Sequence, residues 1–392
     1  MIFVKILFII LLVLLLHSYL FYPLLLKYLA RNKKQNEQFY KENETDLPEV
    51  SILLAAYNEE AVIAEKIRSS FNTTYPLSKV EMIIGSDASS DQTDQIIQGF
   101  MEEYPQLKLR RFPGRTGKAG IINALSKEAS HKILILTDAN VIFQPQTIYH
   151  LVKHYKKPEI SLVGGNIVNS RFNPEGISIA EETYISRENK IKYYEGVVWG
   201  SMAGAFGGCY SIRTDLYADV PPRFFMDDFY ITMNVLENGG KAINELDALC
   251  LEDVSNKISE EFRRKVRISI GNFQNLSRYW RIIFPLNTGI SFSFISHKIL
   301  RWLGPFFMIM LLISNILLYN QHVFFKITLT AFIVLSVIPL IDTILRKIKV
   351  NINLLRLISH FFFMNVALLV GFFKFLKGVE TNIWQPTQRF QK

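Results

Sequence analysis

Two adjacent aspartates, Asp227 and Asp228, stand just before an apolar stretch of helical length that ends at a Gly pair. Either one could act as a helix N-cap, whose side-chain oxygen accepts a hydrogen bond from a free backbone N–H. One carboxylate is enough for that role. A second carboxylate beside Phe224, Phe225 and Phe229 indicates an alternative, an acid whose pKa is raised by an apolar wall so that it can act as a base.

Polar residues follow three predicted strands and could meet at one site. Continuous apolar, β-branched runs are typical of strands buried on both faces, and four of them predict an α/β layer structure: residues 50–58, 80–87, 131–140 and 160–168. In such sheets ligands bind beyond the carboxyl ends of the strands. The polar residues found there are Asn58, Glu59, Asp87, Asp138 and Asn140. Because polar residues follow three predicted strands, a shared ligand site is favoured over three separate turns.

Two loops have residue types that suit phosphate or metal binding. In "PGRTGKAG" (113–120) the first Gly and the Ser or Thr of a P-loop are missing, but Lys118 at a helix N-terminus could meet a diphosphate. A plain loop before a helix is the alternative. In "TDAN" (137–140), Asp138 and Asn140 could point two oxygen atoms at one divalent cation, or form an Asx turn. No GxGxxG follows the first strand, so the dinucleotide fingerprint is absent.

Seven short motifs, in order along the chain, resemble those of one enzyme family. They are "AAYNEE" (55–60), "GSDASSDQTDQI" (85–96), "RTGKAGIINAL" (115–125), "TDAN" (137–140), "GAFGGCYSIR" (204–213), "MDDF" (226–229) and "RRKVRI" (263–268). The chain is thereby similar to inverting family-2 glycosyltransferases of the membrane-embedded cellulose, hyaluronan and poly-N-acetylglucosamine synthase-like group. The resemblance implies a GT-A-type nucleotide-sugar-binding domain with a mostly parallel central sheet. It also implies a nucleotide sugar, in this family a UDP-sugar, as donor.

The resemblance implies a role for each matching residue. In the family, the nucleotide base and ribose lie against the first strand end and the acid after the second strand, which here are Ala55, Tyr57, Glu59 and Asp87. The Gly-Lys segment, with Lys118, lies near the diphosphate. The Asp-x-Asp motif binds the nucleotide and Mg²⁺ or Mn²⁺, and it reads Asp138-Ala139-Asn140 here. An uncharged amide therefore replaces the second acid.

The resemblance also implies the catalytic and acceptor-side residues. The family's acidic pair ends in the general base, which matches Asp228, with Asp227 as its neighbour. Inverting transfer needs one base to take the proton of the acceptor hydroxyl. The family's Gln-x-x-Arg-Trp motif lines the acceptor and diphosphate; here Arg264 and Arg267 stand in "RKVRI", and neither the Gln nor the Trp is present. Trp384, in the tail, is implied to lie near the same place.

Apolar blocks at both ends predict membrane segments around a globular region. Residues 2–26 are long enough to cross a bilayer and no small-residue cleavage site follows, which favours a retained anchor over a secretory signal. The basic residues after them predict that the N-terminus faces out and that residue 31 onward lies in the cytoplasm. With further apolar blocks after residue 301, the chain is predicted to be a multi-pass inner-membrane protein with a cytoplasmic catalytic domain. The predicted organisation is an anchor (1–30), a linker (31–48), a catalytic domain (49–283), an amphipathic interface helix (284–301), membrane helices (302–377) and a tail (378–392).

The predicted membrane topology contains a conflict. Three apolar blocks lie at about 302–319, 323–345 and 354–376. If all three cross the membrane, the C-terminus is outside, although the tail is basic and the resemblance places Trp384 near the cytoplasmic site. The favoured interpretation is that the third block, with Arg356, His360 and Asn365, is re-entrant or interfacial.

Charge and cysteine content narrow the possible partners. The net charge of +9 comes without a run of five basic residues or a nucleic-acid module, so lipid headgroups and phosphate ligands explain it better than nucleic acid. Cys209 and Cys250 lack CxxC spacing and predict neither a metal site nor a disulfide. The predicted partners are a nucleotide sugar, a glycan or lipid-linked acceptor and membrane lipids. Two other classes stay open: a nucleotide-binding transport or lipid-handling protein, and a non-catalytic assembly subunit.

Overall fold

An eight-stranded mixed sheet forms the centre of the globular region. The computed structural model describes residues 1–169, 178–252, 258–348, 350 and 352–379. The strands are β1 (Val50–Ala56), β2 (Val80–Ser86), β3 (Leu107–Arg111), β4 (Ile133–Thr137), β5 (Val141–Phe143), β6 (Ile160–Asn169), β7 (Cys209–Arg213) and β8 (Lys241–Glu252). The four runs predicted as strands are β1, β2, β4 and β6. Strands β3, β5, β7 and β8 were not predicted.

The order of the strands places three predicted strand ends side by side. The order is β3-β2-β1-β4-β7-β6-β8-β5. Strand β1 lies between β2 and β4 and is parallel to both, and β3 is parallel to β2. Strand β7 runs antiparallel to β4 and β6, whereas β8 is parallel to β6 and antiparallel to β5. Parallel neighbours end at the same edge of a sheet, so β1, β2 and β4 present their carboxyl ends together.

Helices cover both faces of the sheet and both ends of the chain. Those before and within the globular region are α1 (Ile2–Leu16), α2 (Tyr22–Leu29), α3 (Ile63–Phe71), α4 (Thr93–Met101), α5 (Lys118–Glu128), α6 (Thr147–Val152), α7 (Ser178–Trp199), α8 (Asp227–Glu237) and α9 (Ile258–Tyr279). Those after it are α10 (Gly289–Ser293), α11 (Leu300–Trp302), α12 (Gly304–Leu318), α13 (Val323–Lys347) and α14 (Asn353–Lys377). Single π-helical turns join α1 to α2 and α10 to α11.

Alternate residues of the central strands face two separate cores, which makes the globular region a three-layer α/β structure. In β1, Ile52 and Leu54 belong to the core that also contains Ile67 of α3. Leu53 belongs to the other core, together with Ile122 of α5. All are fully buried, so β1 is apolar without alternation, as the sequence pattern indicated.

Three described helical segments are long and apolar enough to cross a membrane: Ile2–Leu29, Val323–Lys347 and Asn353–Lys377. A fourth candidate is a bent pair, in which Gly289–Trp302 and Gly304–Leu318 meet at 62°. A bend of this kind fits a broken span or a re-entrant loop.

Helix α14 packs closely along α9 of the globular region. Along α14, Leu368 accepts a hydrogen bond from the Ser269 hydroxyl of α9 (2.9 Å), and Phe372 packs edge-on against Phe273 of α9. Gly371 permits this close approach, since a Cβ there would lie 2.3 Å from the Ser269 side chain. The re-entrant or interfacial interpretation of residues 354–376 stays a prediction.

Candidate functional site

One cavity of about 520 Å³ collects the residues that the sequence singled out. It lies at the carboxyl edge of β1, β2 and β4 and extends to α7, α9 and α14. The predicted site residues that line it are Ala55, Tyr57, Glu59, Asp87, Lys118, Asp138, Asn140, Asp227, Asp228, Arg264 and Arg267. Trp384 lies outside the described residues. We call the part around Asp87, Lys118 and Asp228 the sheet-edge half.

Asp87 organises the loop that precedes α5. Its carboxylate accepts hydrogen bonds from the backbone N–H groups of Thr116 and Gly117 and from Arg115 Nε (3.1 Å). Gly117 has φ +81°, a conformation that favours glycine and that turns the loop into α5. The Arg115 guanidinium lies 3.3 Å from the centroid of the Tyr57 ring. Arg115 therefore fixes two predicted nucleotide-binding residues, although nothing in the sequence pattern distinguished it.

Lys118 forms the electrostatic centre of the sheet-edge half. Its Nζ lies 2.7 Å from Asp138 Oδ1, 3.6 Å from Asp227 Oδ2 and 3.4 Å from the Gly207 carbonyl. Burial alone would lower the pKa of Lys118, but Asp138 and Asp227 together raise it above its ordinary value. The side chain is thus a fixed ammonium group at a helix N-terminus, which suits contact with a phosphate.

Asp228 is a buried carboxylate in the first turn of α8. Neither aspartate is the N-cap: that position is occupied by Met226, a non-glycine residue at φ +59°, so the capping alternative is wrong. Asp228 Oδ1 accepts the Phe229 N–H (2.8 Å). Burial and the neighbouring Asp227 raise the pKa of Asp228 to about 6, while Lys118 opposes them. A carboxylate tuned toward neutral pH can act as a general base.

The glycine-rich loop before β7 approaches Asp228 closely. A Cβ on Gly207 would lie 3.0 Å from Asp228 Oδ2. The missing side chain keeps that oxygen on the wall of the cavity instead of behind a methyl group. The close approach of Asp228 thus explains why the motif at 204–213 has a glycine at position 207.

Asp138 and Asn140 have a third oxygen donor beside them. The Asn140 amide Nδ2 donates to Glu252 Oε1 (3.3 Å), because β5 pairs antiparallel with β8 and Val141 stands directly opposite Glu252. All three side chains line the cavity. Two carboxylates and an amide oxygen fit a hard divalent cation, and Glu252 supplies a charge that Asn140 lacks. No motif in the sequence distinguished Glu252.

A second group of possible metal ligands lies away from the cavity. His150, Glu245 and Asp247 are close enough to share an ion. Glu245 is already held by Lys153 and His154, at 2.9 and 2.6 Å. Burial would raise the pKa of Glu245, but its bond to His154 and the charge of Lys153 lower it to about 2. Its contacts with Lys153 and His154 therefore explain the position of Glu245 in this group.

Lys192 of α7 is a buried cation that sequence reasoning missed. It is 3% exposed, and its Nζ lies 3.4 Å from the centroid of the Phe206 ring. Burial, and then the charge of Lys298, lower its pKa to about 7. A single Lys within a helix has no distinguishing pattern, so only the packing of α7 over the cavity reveals it.

The far end of the cavity, which we call the membrane-facing half, is formed by α7, the segment 294–302 and α14. His297 lies between two buried carboxylates, with Nε2 at 2.9 Å from Glu188 and Nδ1 at 2.8 Å from Glu195. Glu195 also accepts a hydrogen bond from the Tyr22 hydroxyl of α2 (2.7 Å). The N-terminal helix is thereby bonded directly to the wall of the site.

Arg264 and Arg267 of α9 stand between the two halves. Both line the cavity, as the i, i+3 spacing predicted. Arg264 lies 3.4 Å from Glu261. Burial and the charge of Arg264 lower the pKa of Arg267 below its ordinary value. Two arginines on one helix face thus bring positive charge to the middle of the cavity.

Comparison with known proteins finds a domain family that matches part of this chain. Residues 51–220 match the model described as Glycosyl transferase family 2. Over 127 residues the chain is 37% identical to a beta-monoglucosyldiacylglycerol synthase of Trichormus variabilis, which is 32% of this chain and 27% of that protein. Over 118 residues it is 31% identical to a poly-beta-1,6-N-acetyl-D-glucosamine synthase of Staphylococcus epidermidis, 30% of this chain and 28% of the relative. The chain thus spans less than a third of these relatives.

The whole fold has a counterpart among solved structures. The mannosyltransferase PcManGT from Pyrobaculum calidifontis, in complex with GDP-Man and Mn²⁺, has a TM-score of 0.68 to this structure, at 20% identity, covering 95% of this chain and 99% of the other. At this identity the likeness shows the fold. The prediction of a GT-A glycosyltransferase fold, with helices at both ends apolar enough to span a membrane, is confirmed.

Proposed function

We propose that the chain, whose residues 51–220 match the model described as Glycosyl transferase family 2, is a membrane-bound inverting glycosyltransferase. It transfers a sugar from a nucleotide-diphosphate sugar, a UDP-sugar by the family resemblance, to a glycan or lipid-linked acceptor. The relatives named above, a glycolipid synthase and a polysaccharide synthase by their names, fit either acceptor class. The catalytic domain is cytoplasmic in this proposal.

The observation that carries the proposal is the position of Asp228 relative to Lys118. Asp228, whose pKa is raised to about 6, and the ammonium group of Lys118 line the same cavity. Asp227 lies between them, because it precedes Asp228 in the chain and its Oδ2 lies 3.6 Å from Lys118 Nζ. Inverting transfer requires these two groups: a base on one side of the sugar carbon and positive charge beside the departing diphosphate on the other.

In the proposed complex, the nucleotide occupies the sheet-edge half. Tyr57, held by Arg115, contacts the base, and Asp87, with Ala55 and Glu59 beside it, contacts base and ribose. Lys118 meets the diphosphate through its Nζ and through the N-terminus of α5. Arg267 and Arg264 add charge from the acceptor side.

A divalent cation fits the oxygen donors described above. Asp138 and Asn140 would hold it, with Glu252 beside Asn140. When bound, Mg²⁺ or Mn²⁺ would neutralise diphosphate charge.

In the proposed reaction, residues of this chain accept the proton and stabilise the leaving group. The acceptor oxygen bonds to the sugar C1 while the bond from C1 to the diphosphate oxygen breaks, and the electron pair leaves with the nucleoside diphosphate. The acceptor proton moves to Asp228, at Oδ2, since Oδ1 accepts the Phe229 N–H. Lys118 stays protonated and stabilises the leaving charge.

The test is nucleoside diphosphate release from a panel of UDP- and GDP-sugars. Membranes carrying the wild type, Asp228→Asn or the control Asp219→Asn are assayed with Mg²⁺, with Mn²⁺ or with chelator, in the presence of native membrane extract as a source of acceptor. Asp219 is an exposed carboxylate that pairs with Lys127. We expect metal-dependent release from one donor that is lost in Asp228→Asn and kept in Asp219→Asn. Equal release by both variants would favour a scaffold subunit, and nucleotide binding without release a transport or binding protein.

A further inference from the structure

The membrane-facing half of the cavity has an apolar wall made by helices of membrane-like composition. Helix α14 contributes four apolar side chains to it, and the N-terminal helical segment contributes an aromatic ring. They are Leu357, Phe361, Met364, Leu368 and Tyr19. Both segments belong to the described helices that are long and apolar enough to cross a membrane. The cavity thus runs without interruption from the strand ends to surfaces that suit hydrocarbon.

Cations outnumber anions at the same end. Arg187, Lys298 and Arg301 line the cavity around one buried carboxylate, Glu188. Lys298 Nζ lies 3.2 Å from Glu188 Oε2, and an Arg301 N–H donates to Glu188 Oε1. Among the described residues of this end, the carboxylates that contact these cations or His297 are Glu188 and Glu195. Two carboxylates do not neutralise three cations, so positive charge remains for a ligand. The Lys298 and Arg301 side chains are only 13% and 12% exposed, so positive charge there is costly unless an anion balances it.

These cations are fixed at the junction with the N-terminal helix. Arg301 donates to the Ser18 carbonyl (3.4 Å) and lies 5.5 Å from the centroid of the Tyr19 ring. Arg187 donates to the Tyr19 carbonyl, and His17 contacts the Ser296 hydroxyl (2.9 Å). Positive charge beside an apolar wall at such a junction is the arrangement that binds anionic lipid headgroups.

We propose that the acceptor is a membrane lipid that carries both a phosphate group and a free hydroxyl, and that it reaches Asp228 from the membrane-facing half. Its phosphate lies among Arg187, Lys298 and Arg301, and its hydrocarbon chain lies against α14. This inference rests on the proposed transferase function and names its acceptor class. A water-soluble glycan has no hydrocarbon chain to place against the apolar wall, and a neutral lipid has no charge to place among the cations.

The chemistry stays balanced with this acceptor. The lipid hydroxyl oxygen bonds to the sugar C1, its proton passes to Asp228, and the nucleoside diphosphate leaves with the electron pair of the broken bond. The lipid phosphate takes no part in the reaction and serves only to position the hydroxyl.

A binding experiment tests the proposal independently of turnover. The full chain in phosphatidylcholine vesicles is titrated with brominated phosphatidylglycerol, and quenching of tryptophan fluorescence is measured. Trp302 lines the cavity, so the part of the quenching that comes from lipid in this site should be lost in Trp302→Phe, whereas quenching of the other three tryptophans should remain. Brominated phosphatidylcholine is the control lipid. Quenching that is equal for both lipids, or unchanged in Trp302→Phe, overturns the proposal.

Matched variants separate the cavity from the outer helix surface. Phe361 lines the cavity, whereas Phe373 on the same helix is 53% exposed. Arg187 lines the cavity, whereas Lys374 is an exposed cation of α14 outside it. We expect Phe361→Ala and Arg187→Gln each to weaken phosphatidylglycerol binding about tenfold, and Phe373→Ala and Lys374→Gln to change it less than about twofold. Equal effects within each pair contradict the proposal.

A transfer assay distinguishes failure of this inference from failure of the proposed function. With the active donor, three acceptors are compared: phosphatidylglycerol, diacylglycerol in phosphatidylcholine vesicles, and a water-soluble oligosaccharide. Transfer to phosphatidylglycerol supports the proposal. Preferred transfer to the oligosaccharide or to diacylglycerol overturns it while the transferase function stands. Donor release that fails with every acceptor and with native extract counts against the proposed function, and the quenching result then decides the lipid site alone.

Discussion

The two halves of the cavity are built by different means. The sheet-edge half takes its residues from strand ends and from the first turns of α5 and α8, so each side chain is placed by local chain geometry. The membrane-facing half takes them from α7, the segment 294–302 and α14, which are distant in sequence. Glu188 of α7 contacts His297, Lys298 and Arg301 of that segment, and α14 packs along α9. Our proposals thus place the chemistry where local chain geometry positions each side chain, and acceptor binding where packing between helices decides the shape.

Removal of the central ammonium group should produce the largest loss in the sheet-edge half. Lys118→Met removes the charge that we place beside the leaving diphosphate. We expect turnover to fall about a hundred- to thousandfold, as for other preorganised groups that stabilise a transition state. Nucleoside diphosphate release under saturating donor measures this.

Lys127→Met is the matched control, because Lys127 lies on the same helix but pairs with exposed Asp219. Its turnover should stay close to that of the wild type. A similar loss in both variants would mean that α5 is sensitive to any change and that Lys118 has no special role.

Removal of His297 should instead affect the stability of the membrane-facing half. His297→Leu leaves Glu188 and Glu195 without the ring that bonds to both, and a buried polar group that loses its hydrogen-bond partner costs about 1–3 kcal/mol. We expect a clear fall in the unfolding temperature of the solubilised protein. His131→Leu, which breaks a contact with the more exposed Glu49, should cost at most about 1 kcal/mol. Equal shifts would remove the distinction between the halves.

Arg115→Met should weaken nucleotide binding without removing any proposed catalytic group. Tyr57 loses the guanidinium over its ring, and Asp87 loses one of its bonds. We expect UDP or GDP affinity to fall about tenfold, with KM rising more than kcat falls. Calorimetric titration measures the affinity. Arg110→Met, next to the exposed Glu128, should leave it unchanged, and a kcat effect larger than the KM effect would argue against a binding role.

The smallest expected effect concerns the substituted acid of the metal motif. Asn140→Asp restores a second carboxylate next to Asp138, with Glu252 still beside it. We expect Mn²⁺ affinity, measured by the loss of the free-ion spin resonance signal, to rise a few-fold. Asn238→Asp, at the exposed end of α8, should not change it. An unaltered or weaker affinity in Asn140→Asp would show that the ion does not contact position 140.

The difference between local chain geometry and packing of distant elements also explains which site residues could be predicted from the sequence. Asp87 and Asp138 were predictable because they directly follow apolar strands, and parallel strands end at one edge. Arg115, Lys192 and Glu252 were missed because their roles come from a cation over a ring, a helix packed over the cavity and a pairing between β5 and β8. No local pattern encodes these contacts.

The apolar helices, too, were only partly predictable from the sequence. Hydropathy identified the apolar helices, and polar residues in the third block indicated an unusual environment. The parallel packing of α14 along α9 depends on pairs such as Ser269 with Leu368, which are 99 residues apart in the chain.

The most direct test of the central claim is the pH dependence of sugar transfer in the wild type and in Asp227→Asn. Since Asp228 must be unprotonated to act as the base and its pKa is raised to about 6, the wild-type rate should fall as the pH decreases through about 6. Removal of the Asp227 charge should lower that pKa and move the acid limb to lower pH, while Asp219→Asn leaves it in place. An acid limb that is absent, or that does not move in Asp227→Asn, would contradict the assignment of Asp228 as the base.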